Sequence, residues 1–310
     1  MRATFTQEQL EIAKTVRAIV EDADFTARDA LSAPWRAPSC DAPLLADFGL
    51  LGVPEAAGGV GSALIDLMVA VEALGESLVP SRFPFHAAAV QLLSDSQVPA
   101  EVLEGRRVLT PVLDPFAAYA EQADGFAAPG GLVDATVTPR RSFDPSVPLS
   151  EVAYRKSDTQ HAEGVRRATL VLAAQLCGVA QGAIDKAAEQ ARTRRQFGRI
   201  IGSFQGVAFQ LAEAAVARKA AWDLTLYAAW AVEHGRPDAA IQVHAAKAAA
   251  GHAAVFAAER CIQVHGGMGI TMEADPHLFL RRAFVLDALG GSGSSHRRRT
   301  GELRVQSRRP

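Results

Sequence analysis

From Gly164 onward apolar residues recur every three or four positions, and many of them are alanine. Val165, Leu172, Leu176, Val179, Ala183, Ala187 and Ala191 trace one such stripe, the pattern of a helix with one buried face. Alanine at contact positions lets neighbouring helices approach closely, so this half of the chain is expected to form a four-helix bundle. The same pattern predicts a second helix from Gly202 or Ser203 past Trp222 and Tyr227 to His234 and Gly235. A third follows from Ala239 to about His265, and a fourth from Pro276 to Leu289. His244, Lys247 and His252 interrupt the third helix; with no Glu-x-x-His pair they suggest no metal, and they read as exposed or satisfied side chains. The run Gly290 to Ser295 reads as a loop, and the basic stretch from His296 to Arg309 as a solvated, frayed end.

The first third is also helical. Thr6 and Gln9 form a capping box, with Phe5 and Leu10 as its hydrophobic staple; Leu10, Ala13, Val16 and Val20 give the apolar stripe of a first helix. A proline-bearing connection, Ser32 to Pro38, leads to a short helix from about Pro43, which the glycines and proline between Phe48 and Glu55 terminate. Gly58, Gly59 and Gly61 make a loop before a helix from Ile65 to Leu74. That loop has neither a preceding strand nor a lysine, so a phosphate cradle is not expected there. Further helices are expected at His86 to Leu93 and Ala100 to Leu103. Between Arg106 and Tyr154 six prolines and scattered glycines replace the helical spacing, with strands expected in Arg107 to Leu113 and Leu132 to Thr138. The division is a helical N-terminal domain over 1–105, a reduced β segment over 106–155 and a C-terminal bundle over 156–310; the fold class is mainly α.

Composition narrows the functional classes. With 32 basic and 34 acidic residues the surface has no field to draw nucleic acid or an anionic membrane. The N-terminus is polar, and the apolar runs read as broken by Gln, His, Lys or Glu before they reach membrane-spanning length, so a cytoplasmic protein is expected. Cys40, Cys177 and Cys261 are far apart and odd in number, as buried reduced thiols would be.

Two segments go beyond architecture. Arg192 to Gln205 is the basic end of a helix followed by an aromatic, a glycine and a new helix start, and Ile262 to Thr271 places consecutive glycines after an alanine-rich helix. Arg194, Phe197, Gly198, Phe204 and Gln205, with Gln263, His265, Gly266, Gly267 and Gly269, resemble the FAD-holding segments of the acyl-CoA dehydrogenase family. The Gly-Leu-Leu-Gly-Val-Pro-Glu turn at 49–55 and the Gly-Gly-Val-Gly loop at 58–61 are similar to its N-terminal helical domain.

That resemblance implies FAD as cofactor and α,β-desaturation of an acyl-CoA thioester, a carboxylate taking the α-proton while hydride leaves to the flavin. It also implies a helix in the C-terminal tail. Three departures qualify it. The middle domain is about half the family's length, and the strands that lie against the flavin ring have no counterpart. Aligning Arg281 to Val285 on the matching family helix puts Gly290 where the catalytic Glu stands; the alternative base position falls near Ala168, beside Arg166 and Arg167. The carboxylates nearest in sequence, Glu163, Glu273, Asp275 and Asp287, read as helix-end or surface charges. The chain therefore resembles the shortened, non-catalytic subunit of heteromeric α2β2 bacterial acyl-CoA dehydrogenases, such as those of steroid side-chain degradation. In that reading Arg194, Phe197, Gln205, Gln263, Gly266 and Gly267 complete the FAD site of a full-length partner, and the partner binds most of the acyl-CoA. The alternatives are a stand-alone homo-oligomeric flavoenzyme and a flavin-free scaffold.

Overall fold

Glycine decides where two helices of this protein touch backbone to backbone. In the computed structural model, which describes residues 4–94, 98–157 and 161–307, the 32-residue helix α6 (Ala162–Thr193) runs through the centre of the molecule. A methyl group on Gly178 would stand 2.1 Å from the carbonyl oxygen of Glu72, and one on Gly182 2.1 Å from that of Glu76. Helix α3 (Leu64–Gly75) is thereby pressed directly onto α6, closer than any side chain would allow. Around α6 pack α7 (Gln205–Glu233), α8 (Ala239–His265) and α9 (Pro276–Ala288), alternating in direction along the chain. The contacts are largely alanine: Ala173, Ala180, Ala183, Ala228, Ala250, Ala254 and Ala258 are wholly buried.

The N-terminal third adds α1 (Gln7–Glu21), α2 (Asp41–Phe48), α4 (Phe83–Leu92) and the one-turn α5 (Ala100–Leu103). The capping box of α1 forms as expected, Gln9 N–H donating to Thr6 Oγ1 at 3.2 Å and Thr6 N–H to Gln9 Oε1 at 3.1 Å. Its stripe begins at Ala13 rather than Leu10, which is 51 % exposed. One hydrophobic cluster joins α1, α3 and α4 to the bundle without a break.

Among the described residues six strands lie between α5 and α6: β1 (Leu109–Pro111), β2 (Phe116–Ala118), β3 (Gly125–Ala128), β4 (Gly131–Val133), β5 (Ala135–Arg140) and β6 (Leu149–Tyr154). They form two three-stranded sheets, ordered β1-β3-β4 and β2-β6-β5, with β1 and β3 parallel and the other pairs antiparallel. Strands β2, β3 and β6 were not expected. The alanine-rich β2 and β3 are three and four residues long, too short to show alternation. Arg282 of α9 ties this segment to the bundle from inside: its guanidinium donates to Asp144 Oδ2 at 2.6 Å, Ser146 Oγ at 2.7 Å and the Leu78 carbonyl at 3.1 Å.

Two expectations are corrected. The stretch after Leu289 is not a loop running into a frayed tail: Ser292 caps a helix α10 (Gly293–Gln306) that packs along α8, with His296 buried against it. Serine at the cap and buried glycine at the first position make this a helix start, which the Gly/Ser composition concealed. Arg308 and Arg309 lie outside the described residues. The apolar run of α6 does reach membrane-spanning length, but 83 % of that window is buried within the protein, so it serves as a core helix.

Candidate functional site

The α6–α7 junction is a two-residue hairpin. Arg195 pairs with Ile200 and Gln196 with Arg199, leaving Phe197 (φ +52°) and Gly198 (φ +77°) at the tip. Glycine takes this left-handed conformation freely, whereas phenylalanine pays about 1 to 2 kcal/mol for it. Phe197 is nevertheless 91 % exposed. Its ring stands edge-on to Phe204, centroids 6.2 Å apart, and the Arg199 guanidinium lies 4.0 Å over Phe204. A strained aromatic held in solvent is a feature that burial does not explain. Arg192, Arg194 and Arg195 surround it, all exposed and none hydrogen-bonded or ion-paired through its side chain among the described residues.

The second segment closes α8. Gln263 is exposed, and the chain leaves the helix through Gly266 at φ +62°. A methyl group on Gly266 or Gly267 would meet nothing within 4 Å, so both present bare backbone to the outside, whereas one on Gly269 would strike the Ile262 carbonyl at 2.5 Å. His265 Nδ1 is taken by the Cys261 carbonyl at 2.8 Å. Up-and-down topology puts this junction at the same end of the bundle as the hairpin, and Lys186 near the end of α6 reaches Asp275 just before α9 at 3.6 Å. The six residues singled out in the sequence thus sit on two neighbouring junctions at one end. That end offers guanidinium and amide donors beside open glycine backbone, a donor set suited to an anion such as pyrophosphate.

Gly290, where the resemblance leads one to expect the base, is different in kind. Gly290 adopts φ +69°, its N–H donates to Asp114 Oδ2 at 2.6 Å, and an added methyl would press on Leu172 at 3.1 Å and Leu113 at 3.2 Å. Phe85, Pro111, Leu113, Phe116, Ala118, Leu172 and Leu289 close over the glycine and leave a cavity of about 10 Å³. Ala168, at the alternative position, is fully buried. Beside it Arg167 is committed to the Gly52 carbonyl at 3.0 Å and to Glu163 at 3.2 Å. The other nearby carboxylates are occupied or outward: Asp287 accepts the Gly293 N–H at 3.1 Å, Asp275 pairs with Arg28 and Lys186, and Glu273 is exposed.

What the sequence did not disclose is a buried polar cluster around this turn. Lys247, wholly buried, donates to the carbonyls of Leu286 at 3.1 Å, Asp287 at 2.9 Å and Gly291 at 3.3 Å. Burial pulls its pKa down to about 8, against the opposing charges of Asp287 and Asp114. His296 Nε2 donates to the Gly290 carbonyl at 3.0 Å, and its Nδ1 lies 2.8 Å from His244 Nδ1. His244 and Lys247 were visible as breaks in an alanine-rich helix, but nothing in one dimension showed that they converge on 289–291.

Known proteins resemble this chain in sequence and in fold. Residues 162–302 match the family described as "Acyl-CoA dehydrogenase, C-terminal domain". Acyl-CoA dehydrogenase IpdE2 of Mycobacterium tuberculosis is 34 % identical, over 75 % of this chain and 76 % of the relative. Acyl-CoA dehydrogenase FadE34 of the same organism is 32 % identical across the whole chain, which spans half of FadE34's length. Among solved structures, a chain of the ChsE4–ChsE5 complex from M. tuberculosis superposes with a TM-score of 0.83 at 24 % identity, covering all of both chains.

Proposed function

This chain belongs to the acyl-CoA dehydrogenase family, and we propose that within it the chain is a non-catalytic subunit that completes the FAD site of a full-length partner dehydrogenase. The observation that carries this reading is the contrast between the two places just described. The donor-rich end of the bundle is open, with the side chains of Arg192, Arg194 and Arg195 unpaired among the described residues, while the position expected for the catalytic carboxylate holds a left-handed glycine with Leu113 and Leu172 against it. FAD, when bound, supplies the hydride acceptor for α,β-desaturation of an acyl-CoA thioester. Arg194 would hold the pyrophosphate by charge-assisted hydrogen bonds. Gln205 and Gln263 would donate amide hydrogen bonds, Gly266 and Gly267 would let backbone approach the cofactor, and Phe197 would cover it. None of these residues moves a proton in the reaction; their part is to bind and orient. The base, the flavin-ring strands and most of the acyl-CoA pocket belong to the partner in this reading. The division 1–105, 106–155 and 156–310, a cytoplasmic location and a place in lipid or steroid catabolism form part of the same proposal. The likeness to a chain crystallised as a two-component complex supports it.

Co-expression with a full-length acyl-CoA dehydrogenase, with flavin counted per chain, tests the proposal. The expected result is a colourless, inactive chain alone and a yellow, active complex. A yellow chain that oxidises an acyl-CoA by itself with an artificial electron acceptor would overturn it.

A further inference from the structure

The turn from Leu289 to Gly293 is held by side chains from every element that meets there. Asp114 of the β segment takes the Gly290 N–H, Lys247 of α8 takes the Gly291 carbonyl, and Asp287 of α9 takes the Gly293 N–H. The Gly290 carbonyl is left to His296 of α10. A carbonyl only accepts, so His296 must carry its proton on Nε2. In the neutral ring Nδ1 is then an acceptor, and the His244 Nδ1 that faces it at 2.8 Å must be the donor. Both tautomers are therefore fixed by the backbone of one turn.

We propose that His244 and His296 form a proton-sharing latch that holds this turn closed over the core, and that proton uptake by the pair releases it. The device belongs to this chain's own fold and stands whether or not a partner supplies the chemistry. A first added proton can go to the free Nε2 of His244, whose Nδ1–H still donates to His296, so the contact survives as an imidazolium–imidazole pair. A second places two N–H groups against each other at hydrogen-bond distance, and the contact must part. The surroundings oppose even the first. His244 faces Arg166 of α6 and Arg299 of α10; His296 faces Lys247 of α8, with Asp287 of α9 as the nearest opposing charge and Asp114 beyond Lys247. Burial, foremost, and these cations lower the pKa of both histidines, that of His244 to about 4. The closed form thus binds fewer protons than the open one. The latch is fully engaged above the ordinary histidine range near 6.5 and is lost as pH falls from there toward about 4. Parting of the pair frees α10 to move off α8, and the Gly290 carbonyl loses its donor when His296 moves with it.

Hydrogen exchange of the peptide covering 286–296, corrected for the intrinsic pH dependence of exchange, tests this between pH 7 and pH 4.5. The expected result is a more than tenfold rise in opening, while a peptide from the middle of α6 stays protected. In His244→Asn, whose amide can either donate to or accept from His296, the step should disappear. A flat profile in the unsubstituted chain, or an unchanged step in His244→Asn, would overturn the proposal. Nitrogen NMR of the unsubstituted protein provides a check that no substitution can spoil. Both latch histidines should titrate well below the ordinary histidine range, and titration of the pair near 6.5 would equally refute it.

Discussion

Replacing Gly290 with glutamate would put a carboxylate where the proposed alignment expects the base, and the surroundings say what it would cost. The backbone there is left-handed, which a Cβ-bearing residue tolerates at about 1 to 2 kcal/mol. The new Cβ would stand 3.1 Å from Leu172 and 3.2 Å from Leu113, and the rest of the side chain would need room where about 10 Å³ is left. Overpacking of that kind costs about 1 to 3 kcal/mol. The sum is about 2 to 5 kcal/mol before any charge is counted, and ionising the buried carboxylate adds to it. For a chain of this size that corresponds to a fall in Tm of about 4 to 10 °C. Gly235 offers the control: it is equally left-handed (φ +57°), but an added methyl meets nothing within 4 Å, so Gly235→Ala should cost only the backbone share, about 1 kcal/mol. Scanning calorimetry of the two variants separates strain from packing, and an acyl-CoA assay on Gly290→Glu should show no turnover. A Gly290→Glu protein that melts within about 2 °C of the unsubstituted chain would refute the packing account, and one that turns over acyl-CoA alone would refute the subunit reading.

Arg194→Ala in the co-purified complex should weaken FAD retention by about 1.5 to 3 kcal/mol, roughly ten- to a hundredfold in affinity, with the fold intact; unchanged flavin content rejects the assigned role. Arg282→Ala strands Asp144, which is 2 % exposed, without its cation, and should cost about 3 to 5 kcal/mol in urea unfolding. A cost below about 1 kcal/mol would mean the buried pair contributes little beyond packing. His86 is held neutral by burial, its Nδ1 accepting the Leu109 N–H at 3.0 Å and its pKa pushed down to about 4. Its contribution is therefore whole above pH 6.5 and lost between there and about 4, amounting to about 2 kcal/mol by pH 5. In His86→Gln that part of the pH dependence of unfolding should vanish, and its persistence would assign the slope to other groups.

Apart from α10, the helices were legible because their signals are local. Thr6 and Gln9 announce the first, and the stripe from Val165 to Ala191 announces α6, whereas its crossing with α3 at Gly178 and Gly182 shows only in the fold. The two arms of the donor-rich end were legible as motifs, although only the lysine bridge from α6 to Asp275 puts their junctions together in space. The strands were poorly legible because three alanine-rich residues carry no period. The cluster at Gly290 was not legible at all. Its members stand at positions 114, 244, 247, 287 and 296 and are related only by the packing of three helices and a loop of the β segment. Leu10 is the reverse case, a residue patterned for the interior that the neighbouring helices fail to cover.

The β segment leaves the helical body after α5 and returns at α6, where a methyl on Gly164 would meet the Leu92 carbonyl at 2.7 Å. The re-entry point is thus pinned to the end of α4, and α4, α5 and α6 all contribute to one core. In genetic terms the strands are a cassette spliced into a finished frame. Deletions can shorten the cassette, and with it whatever chemistry it carries, without asking the frame to refold. A lineage can lose a reaction in this way and keep the arm that serves someone else's.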